Sequence, residues 1–187
     1  MKKRSAGILL YKWVDDQVQV LLVHPGGPFW AKKDATAWSI PKGEIIEDED
    51  PLSAARREFA EELGLAVPEG DITDLGLIKQ SSKEVLAWAV AADLDTKHVK
   101  SNEFEMEWPP RSGQMQSFPE VDKVAWFDLA TAQAKMVKGQ IELLQRLSKH
   151  LSIPLLPANE GAANIGSGKA ASSRPTTAAG QEQTTLL

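Results

Sequence analysis

Eight acidic residues between Gly43 and Leu65, namely Glu44, Glu47, Asp48, Glu49, Asp50, Glu58, Glu61 and Glu62, stand against only Arg56 and Arg57. This short stretch more than accounts for the formal net charge of −5 of the whole chain. On a helix, Glu58, Glu61 and Glu62 occupy i, i+3 and i+4, so three carboxylates share one face within about a turn. A face of that kind is either solvated, as most charge runs are, or it meets a hard divalent cation. Mg²⁺ prefers oxygen ligands and keeps waters and substrate phosphates in its remaining positions. No lysine stands four residues after any of the three, while Ala55, Phe59 and Leu63 supply the apolar side. The spacing therefore predicts a carboxylate ridge on an amphipathic helix, with nothing beside it to relieve the repulsion.

The helix has clear ends. Asp50-Pro51 pairs an N-capping acid with proline at the first helical position, and Gly64 is a stop. Upstream, Ser5 to Tyr11 and Gln17 to Val23 read as a hairpin turning at Asp15-Asp16. Pro25-Gly26-Gly27-Pro28 then opens a loop with Phe29 and Trp30, before a short apolar piece at Trp38-Ser39-Ile40. Downstream, Ile72 to Lys79 and Glu84 to Ala92 are expected strands, the second with Leu86, Trp88 and Val90 on one side and smaller residues opposite. Glu103 to Trp108 alternates strictly, Phe104, Met106 and Trp108 against Glu103, Glu105 and Glu107. Val121 to Phe127 is the last expected strand, and Leu129 to Leu151 reads as one amphipathic helix. Trp88 and Trp126 are expected in the core.

With 187 residues, 42% hydrophobic and 25% charged, the chain is of ordinary globular composition, which excludes wholesale disorder, collagen and coiled coil. The expected organisation is one domain over 1–153 and a low-complexity tail over 154–187, too poor in large apolar residues to offset its chain entropy. The absence of cysteine removes disulfides, thiolate metal sites and a cysteine nucleophile, and is compatible with a cytoplasmic location. No apolar run approaches the roughly 20 residues of a membrane span, and the acidic balance argues against a general nucleic-acid binder. Oligomeric state leaves no trace in the sequence.

Gly43, five residues, Glu49, seven residues, Arg57-Glu58-Phe59, one residue, Glu61-Glu62, one residue, Gly64-Leu65 resembles the Nudix box at every defined position. The resemblance implies an α/β Nudix fold, a mixed β-sheet sandwiched between α-helices, and a pyrophosphohydrolase that uses Mg²⁺, with Mn²⁺ as substitute, on a small-molecule nucleoside-diphosphate-linked substrate. It implies Glu58, Glu61 and Glu62 as metal ligands, with the carbonyl of Gly43 as a further one. Glu58 is also a candidate base, Arg57 an orienting partner of a box glutamate, and Glu49 that glutamate or a loop carboxylate near the metal. Attack on a phosphoanhydride needs charge neutralisation and a positioned water but no covalent nucleophile.

Beyond the box, Glu120 stands six residues before Trp126, where relatives place an additional ligand or base; Glu103, Glu105 and Glu107 are rivals. Lys42 and Arg111 are candidates for phosphate, and Trp30, Trp38 and Phe29 for stacking on a ring. His24, His98 and His150 have no partner at ligand spacing. The lead-in Trp38-Ser39-Ile40-Pro41-Lys42-Gly43 resembles enzymes that cleave diadenosine tetraphosphate to ATP and AMP. Ser81-Ser82-Lys83 stands where those enzymes often carry a tyrosine, and Gln80 where ADP-ribose hydrolases tend to show proline. A nucleotide-pool sanitising triphosphate pyrophosphatase, and a catalytically silent ligand-sensing module, therefore stay open.

Overall fold

The computed structural model describes residues 3–81 and 83–155. The expected tail lies outside the described residues except for Pro154 and Leu155, which close the described chain. Strand β1 (Arg4–Val14) turns at Asp15 and Asp16, both at positive φ, into β2 (Gln17–Pro25). The short β3 (Lys42–Glu44) precedes α1 (Pro51–Leu63), followed by β4 (Ile72–Gln80) and β5 (Lys83–Ala91). A separate two-stranded ribbon of β6 (Glu103–Glu107) and β7 (Met115–Pro119) leads to β8 (Val121–Asp128), α2 (Leu129–Lys135) and α3 (Ile141–His150).

The main sheet runs β4-β5-β1-β2-β8, with β3 added to β1. It is mixed, since β1 and β5 are parallel and every other pairing is antiparallel. β1 is longer than its apolar run because it serves two partners on one edge. Tyr11 to Val14 pair with β2, while Ser5 to Gly7 pair with β3. A Cβ on Gly7 would lie 2.6 Å from the Pro41 carbonyl, so glycine lets the lead-in of β3 press onto the sheet.

Alternation along β1 feeds two cores. Ile8 and Leu10 join Leu21, Val23 and the buried side of α1, Ala54, Ala55, Phe59 and Leu63. Leu9 and Tyr11 join Val20, Leu22, Trp38 and the apolar sides of α2 and α3. Helices thus cover both faces of the sheet, as the sandwich requires. No helix among the described residues is long and apolar enough to cross a membrane.

Three sequence expectations are corrected. The last helix is two. Met136 leaves α2 with extended dihedrals and bridges Trp38, whose N–H donates to the Lys135 carbonyl (3.1 Å) and whose carbonyl accepts from Val137 (2.8 Å). Backbone pairing with a distant loop has outcompeted continuous helical periodicity. In β5 the smaller residues Val85, Ala87 and Ala89 are fully buried on the α2/α3 side, while of the other side Val90 is buried in the α1-side core, Trp88 is half-buried at its margin and Leu86 is half-buried. Trp126 lies at that margin too, its Nε1 donating to the Leu94 carbonyl (3.2 Å) and the Lys12 ammonium above its ring. β7 has no counterpart among the expected strands, because Met115-Gln116-Ser117-Phe118-Pro119 has little apolar alternation and is held by its pairing to β6.

The break before α3 is fastened by Gln140, fully buried. Its Oε1 accepts from the Ile40 N–H (3.0 Å) and its Nε2 donates to Gln80 Oε1 (2.9 Å). Replacing Gln140 with Leu strands the Ile40 N–H in the interior, and the expected loss is about 1–3 kcal/mol of unfolding free energy in urea titrations. An unchanged midpoint would show that Ile40 finds another acceptor.

Candidate active site

Helix α1 begins and ends where its sequence places it. The Asp50 side chain accepts from Ser53 N (2.9 Å), and Gly64, at φ +68, donates to the Ala60 carbonyl (2.8 Å). Since Ala54, Ala55, Phe59 and Leu63 face the sheet, Glu58, Glu61 and Glu62 are left on the side toward β3.

Arg57 is the hub of this side. Its Nε and Nη2 donate to both oxygens of Glu49 (2.9 Å each), and Nη1 donates to Glu58 Oε1 (2.7 Å) and Glu61 Oε2 (3.1 Å). Nη2 also donates to the Glu44 carbonyl (3.0 Å). A guanidinium has five N–H donors, and here all five are engaged. The contacts with Glu49 first, then Glu58 and Glu61, hold its proton more firmly than usual. Arg57 in turn keeps the Glu49 carboxyl below its ordinary range. The expected unrelieved ridge is therefore corrected: Arg57 relieves two of its three members, because a neighbour at i−1 and i−4 can reach both.

Glu62 is different. It is half-buried, and its hydrogen bond comes from the Lys42 backbone N–H (3.3 Å). Loss of water pushes its carboxyl up to about 8; the Lys42 charge and N–H oppose this, and Glu58 and Glu120 add to it. Gly43 lies against Glu58, and a Cβ there would sit 1.7 Å from Glu58 Oε2, so only glycine admits the carboxylate beside this backbone.

Glu120 arrives from the β7–β8 junction. Its N–H donates to the Asn102 carbonyl (2.8 Å), its carbonyl accepts from Gly26 (2.9 Å), and Asn102 N donates to the Glu61 carbonyl (3.3 Å). Burial first, then the charges of Glu58 and Glu61, raises its carboxyl. The rivals point to other duties: Glu103 accepts from Ser117 Oγ (2.7 Å) and Glu107 from Gly113 N (2.7 Å), on the exposed face of the ribbon.

Two stacking candidates are corrected. Trp38 is buried in the core on the α2/α3 side, edge-on to His24 and Phe127, its Nε1 donating to Asp34 (2.9 Å). Trp30 packs against the same cluster with the Lys33 ammonium over its ring. Both lie across the sheet from α1. Phe29 is the exposed aromatic of this loop, and it meets Trp108 edge-to-face with ring centroids 5.3 Å apart. Phe104 lies beneath Gly27 and beside Phe118. The alternation of β6 signalled this aromatic face, but not that it turns toward the 26–29 loop. Arg111 lies in the exposed turn of the ribbon at φ +65, with no hydrogen bond or ion pair to the acidic cluster among the described residues.

Oxygen donors without sulfur or imidazole suit a hard divalent cation, and glycine at position 43 seats the Glu58 carboxylate against the backbone. Among the described residues no three acidic, histidine or cysteine side chains yet converge as a finished cage, since Glu58 and Glu61 each give an oxygen to Arg57.

Residues 1–147 match the family model of the NUDIX domain. The chain belongs to that family. A protein named RNA pyrophosphohydrolase from Bartonella henselae is 37% identical over 68 residues, 34% of this chain and 36% of that relative, so the chain matches about a third of its length. Among solved structures, a Caenorhabditis elegans Ap4A hydrolase binary complex aligns at TM-score 0.53 and 21% identity, over 80% of this chain and 98% of that one. The NUDIX domain of Shewanella oneidensis NrtR complexed with ADP ribose aligns at 0.55 and 20%, over 81% and 89%. At these identities the structural likeness is one of fold. The expected NUDIX architecture, a mixed sheet between helices, is thereby established.

Glu62 yields a pH signature. Folding raises its proton affinity, so the cation-free folded state is penalised as pH rises from about 4.5 toward about 8. In excess chelator, stability from urea titrations should decline over that window, and Glu62→Gln should flatten the decline while leaving stability at low pH unchanged. The same slope in the variant would assign the decline to other groups.

Proposed function

We propose that this NUDIX chain hydrolyses a phosphoanhydride bond in a nucleoside-diphosphate-linked substrate with the aid of a divalent cation, Mg²⁺ or in its place Mn²⁺. One observation carries the reading: Glu58, Glu61 and Glu62 from α1 and Glu120 from the β7–β8 junction lie close enough that the charges of Glu58 and Glu120 raise the proton affinity of Glu62, and those of Glu58 and Glu61 raise that of Glu120. Gathering like charges in a partly buried place costs stability, and such shifted groups cluster at functional sites.

In this reading Glu58, Glu61, Glu62, Glu120 and the Gly43 carbonyl hold the cation. When bound, it neutralises phosphoryl oxygens and lowers the proton affinity of water. The chain's own residues do the rest. Arg57, anchored by Glu49, keeps one oxygen each of Glu58 and Glu61 in place and leaves the others for the cation. Glu120, with its raised proton affinity, takes the proton of the attacking water on a carboxylate oxygen, with Glu58 as the alternative base. The Lys42 ammonium meets a phosphate at the edge of the cluster, and Arg111 reaches one only if the β6–β7 turn closes over the substrate. Phe29 with Trp108 offers a ring surface for a base, in place of Trp30 and Trp38.

Diadenosine tetraphosphate, split to ATP and AMP, is the leading substrate, supported by the 38–43 lead-in. A second reading, removal of pyrophosphate from the 5′ end of RNA, is favoured by the local identity to a protein named RNA pyrophosphohydrolase. Assay of both, with 8-oxo-dGTP as a sanitising substrate, separates them by product. Glu58→Gln and Glu120→Gln should each lower kcat by roughly 10²–10⁴-fold with little change in KM, and excess chelator should abolish turnover. Turnover that persists in chelator, or binding of all three without hydrolysis, would overturn the enzymatic reading.

A further inference from the structure

His24 is fully buried, yet each of its ring nitrogens faces an acceptor. Nδ1 stands 2.6 Å from Asp122 Oδ1 and Nε2 stands 2.6 Å from the Lys33 carbonyl. A neutral imidazole has one N–H and can donate only one of these bonds; the doubly protonated ring donates both. The ring also rests edge-on to Trp38, with centroids 5.2 Å apart, which fixes its plane.

The placement of this strut is specific. β2 and β8 pair in register from Gln19 to His24, and then the register slips: His24 opposes Lys123 but Pro25 opposes Val121. Asp122 is the extra residue of a bulge, and bulges beside active sites re-aim the chain. Two residues before it comes Glu120. Two residues after His24 comes Gly26, whose N–H holds the Glu120 carbonyl and whose Cα lies so close to Pro119 that a Cβ would stand 1.9 Å from the Pro119 carbonyl. His24 therefore ties the bulge through Asp122 and the end of the 26–36 loop through Lys33, and it flanks the backbone contacts that carry Glu120 toward Glu58 and Glu61. Mutual repulsion would drive a carboxylate on a loose junction away from that cluster.

We infer that His24, as a doubly protonated ring paired with Asp122, is a positioning residue that holds the β8 bulge and through it Glu120. The inference rests on the proposed role of Glu120. It touches no substrate atom and acts only through that glutamate.

The experiment uses the full chain in two arms. In the first, long-range ¹⁵N–¹H spectra at pH 7 should show both His24 ring nitrogens protonated; a neutral ring overturns the inference whatever the kinetics. In the second, turnover of diadenosine tetraphosphate with Mg²⁺ is measured for His24→Gln, for Asp122→Ala, which leaves the buried ring intact, and for each combined with Glu120→Gln. Each single variant should lower kcat on the order of 10- to 100-fold at nearly constant KM, as displacement of a catalytic group by about an ångström does. Adding either to Glu120→Gln should lower kcat no further, because the group they position is gone. Losses that multiply in the double variants overturn the positioning role. A Glu120→Gln enzyme with full activity, or no turnover of this substrate by the wild type, instead strikes the proposed function, and the ring spectra then decide the His24 assignment alone.

Discussion

The acidic face of α1 depends on one guanidinium. Arg57 spends every donor it has on the loop before α1 and on the ridge of α1 itself, and a planar, permanently charged fork is the side chain suited to that task. The bonds to Glu49 and the Glu44 carbonyl fold the 44–49 loop back onto the helix, while those to Glu58 and Glu61 make their crowding tolerable. Lysine, a single mobile ammonium, could balance charge here but could not fix four partners in orientation.

Around that hub, two glycines do opposite things at close range. Gly43 leaves room for a carboxylate to lie beside backbone, and Gly26 leaves room for backbone to lie beside backbone. The first belongs to β3, which leads into the loop that Arg57 anchors; the second directly follows β2 and meets Glu120. Both bring acidic groups from distant parts of the chain onto one side of the sheet, and neither contributes a side chain of its own.

What could be read in the sequence was what depends on neighbours along the chain. The caps at Asp50 and Gly64, the apolar side of α1 and the ridge of glutamates are set within 15 residues, and all appear where expected. Glu120 was placed by its distance from Trp126, a spacing held by one strand. What could not be read depends on partners far away. Trp38 looked available for stacking, yet it is buried because residues 135–137 pair with its backbone, a contact that also divides the last helix. Trp88 was expected in the core for its size, but β5 lies in a sheet with helices on both faces, and it is the smaller Val85, Ala87 and Ala89 on the opposite side that are fully buried. His24 offered no ligand spacing because its partners, Asp122 and the Lys33 carbonyl, belong to a bulge and a loop.

The charge state of the cluster follows from these constraints. Five carboxyls, Glu49, Glu58, Glu61, Glu62 and Glu120, are answered by the permanent charge of Arg57 and by Lys42, which leaves the interior member, Glu62, without a full counter-charge. It meets the deficit by keeping a proton to about pH 8. In the proposed function, a divalent cation among the same oxygens would meet the deficit without the proton, so proton and cation would be alternative occupants of one electrostatic place. Cation binding would then release a proton, and its affinity would rise as the solution becomes less acidic, as for any site whose ligands bind metal only when deprotonated. The burial that makes Glu62 costly to ionise also raises the strength of its interaction with a cation once one is present. In that proposal the group that most disfavours an empty site would thereby be the one that gains most when the site is filled.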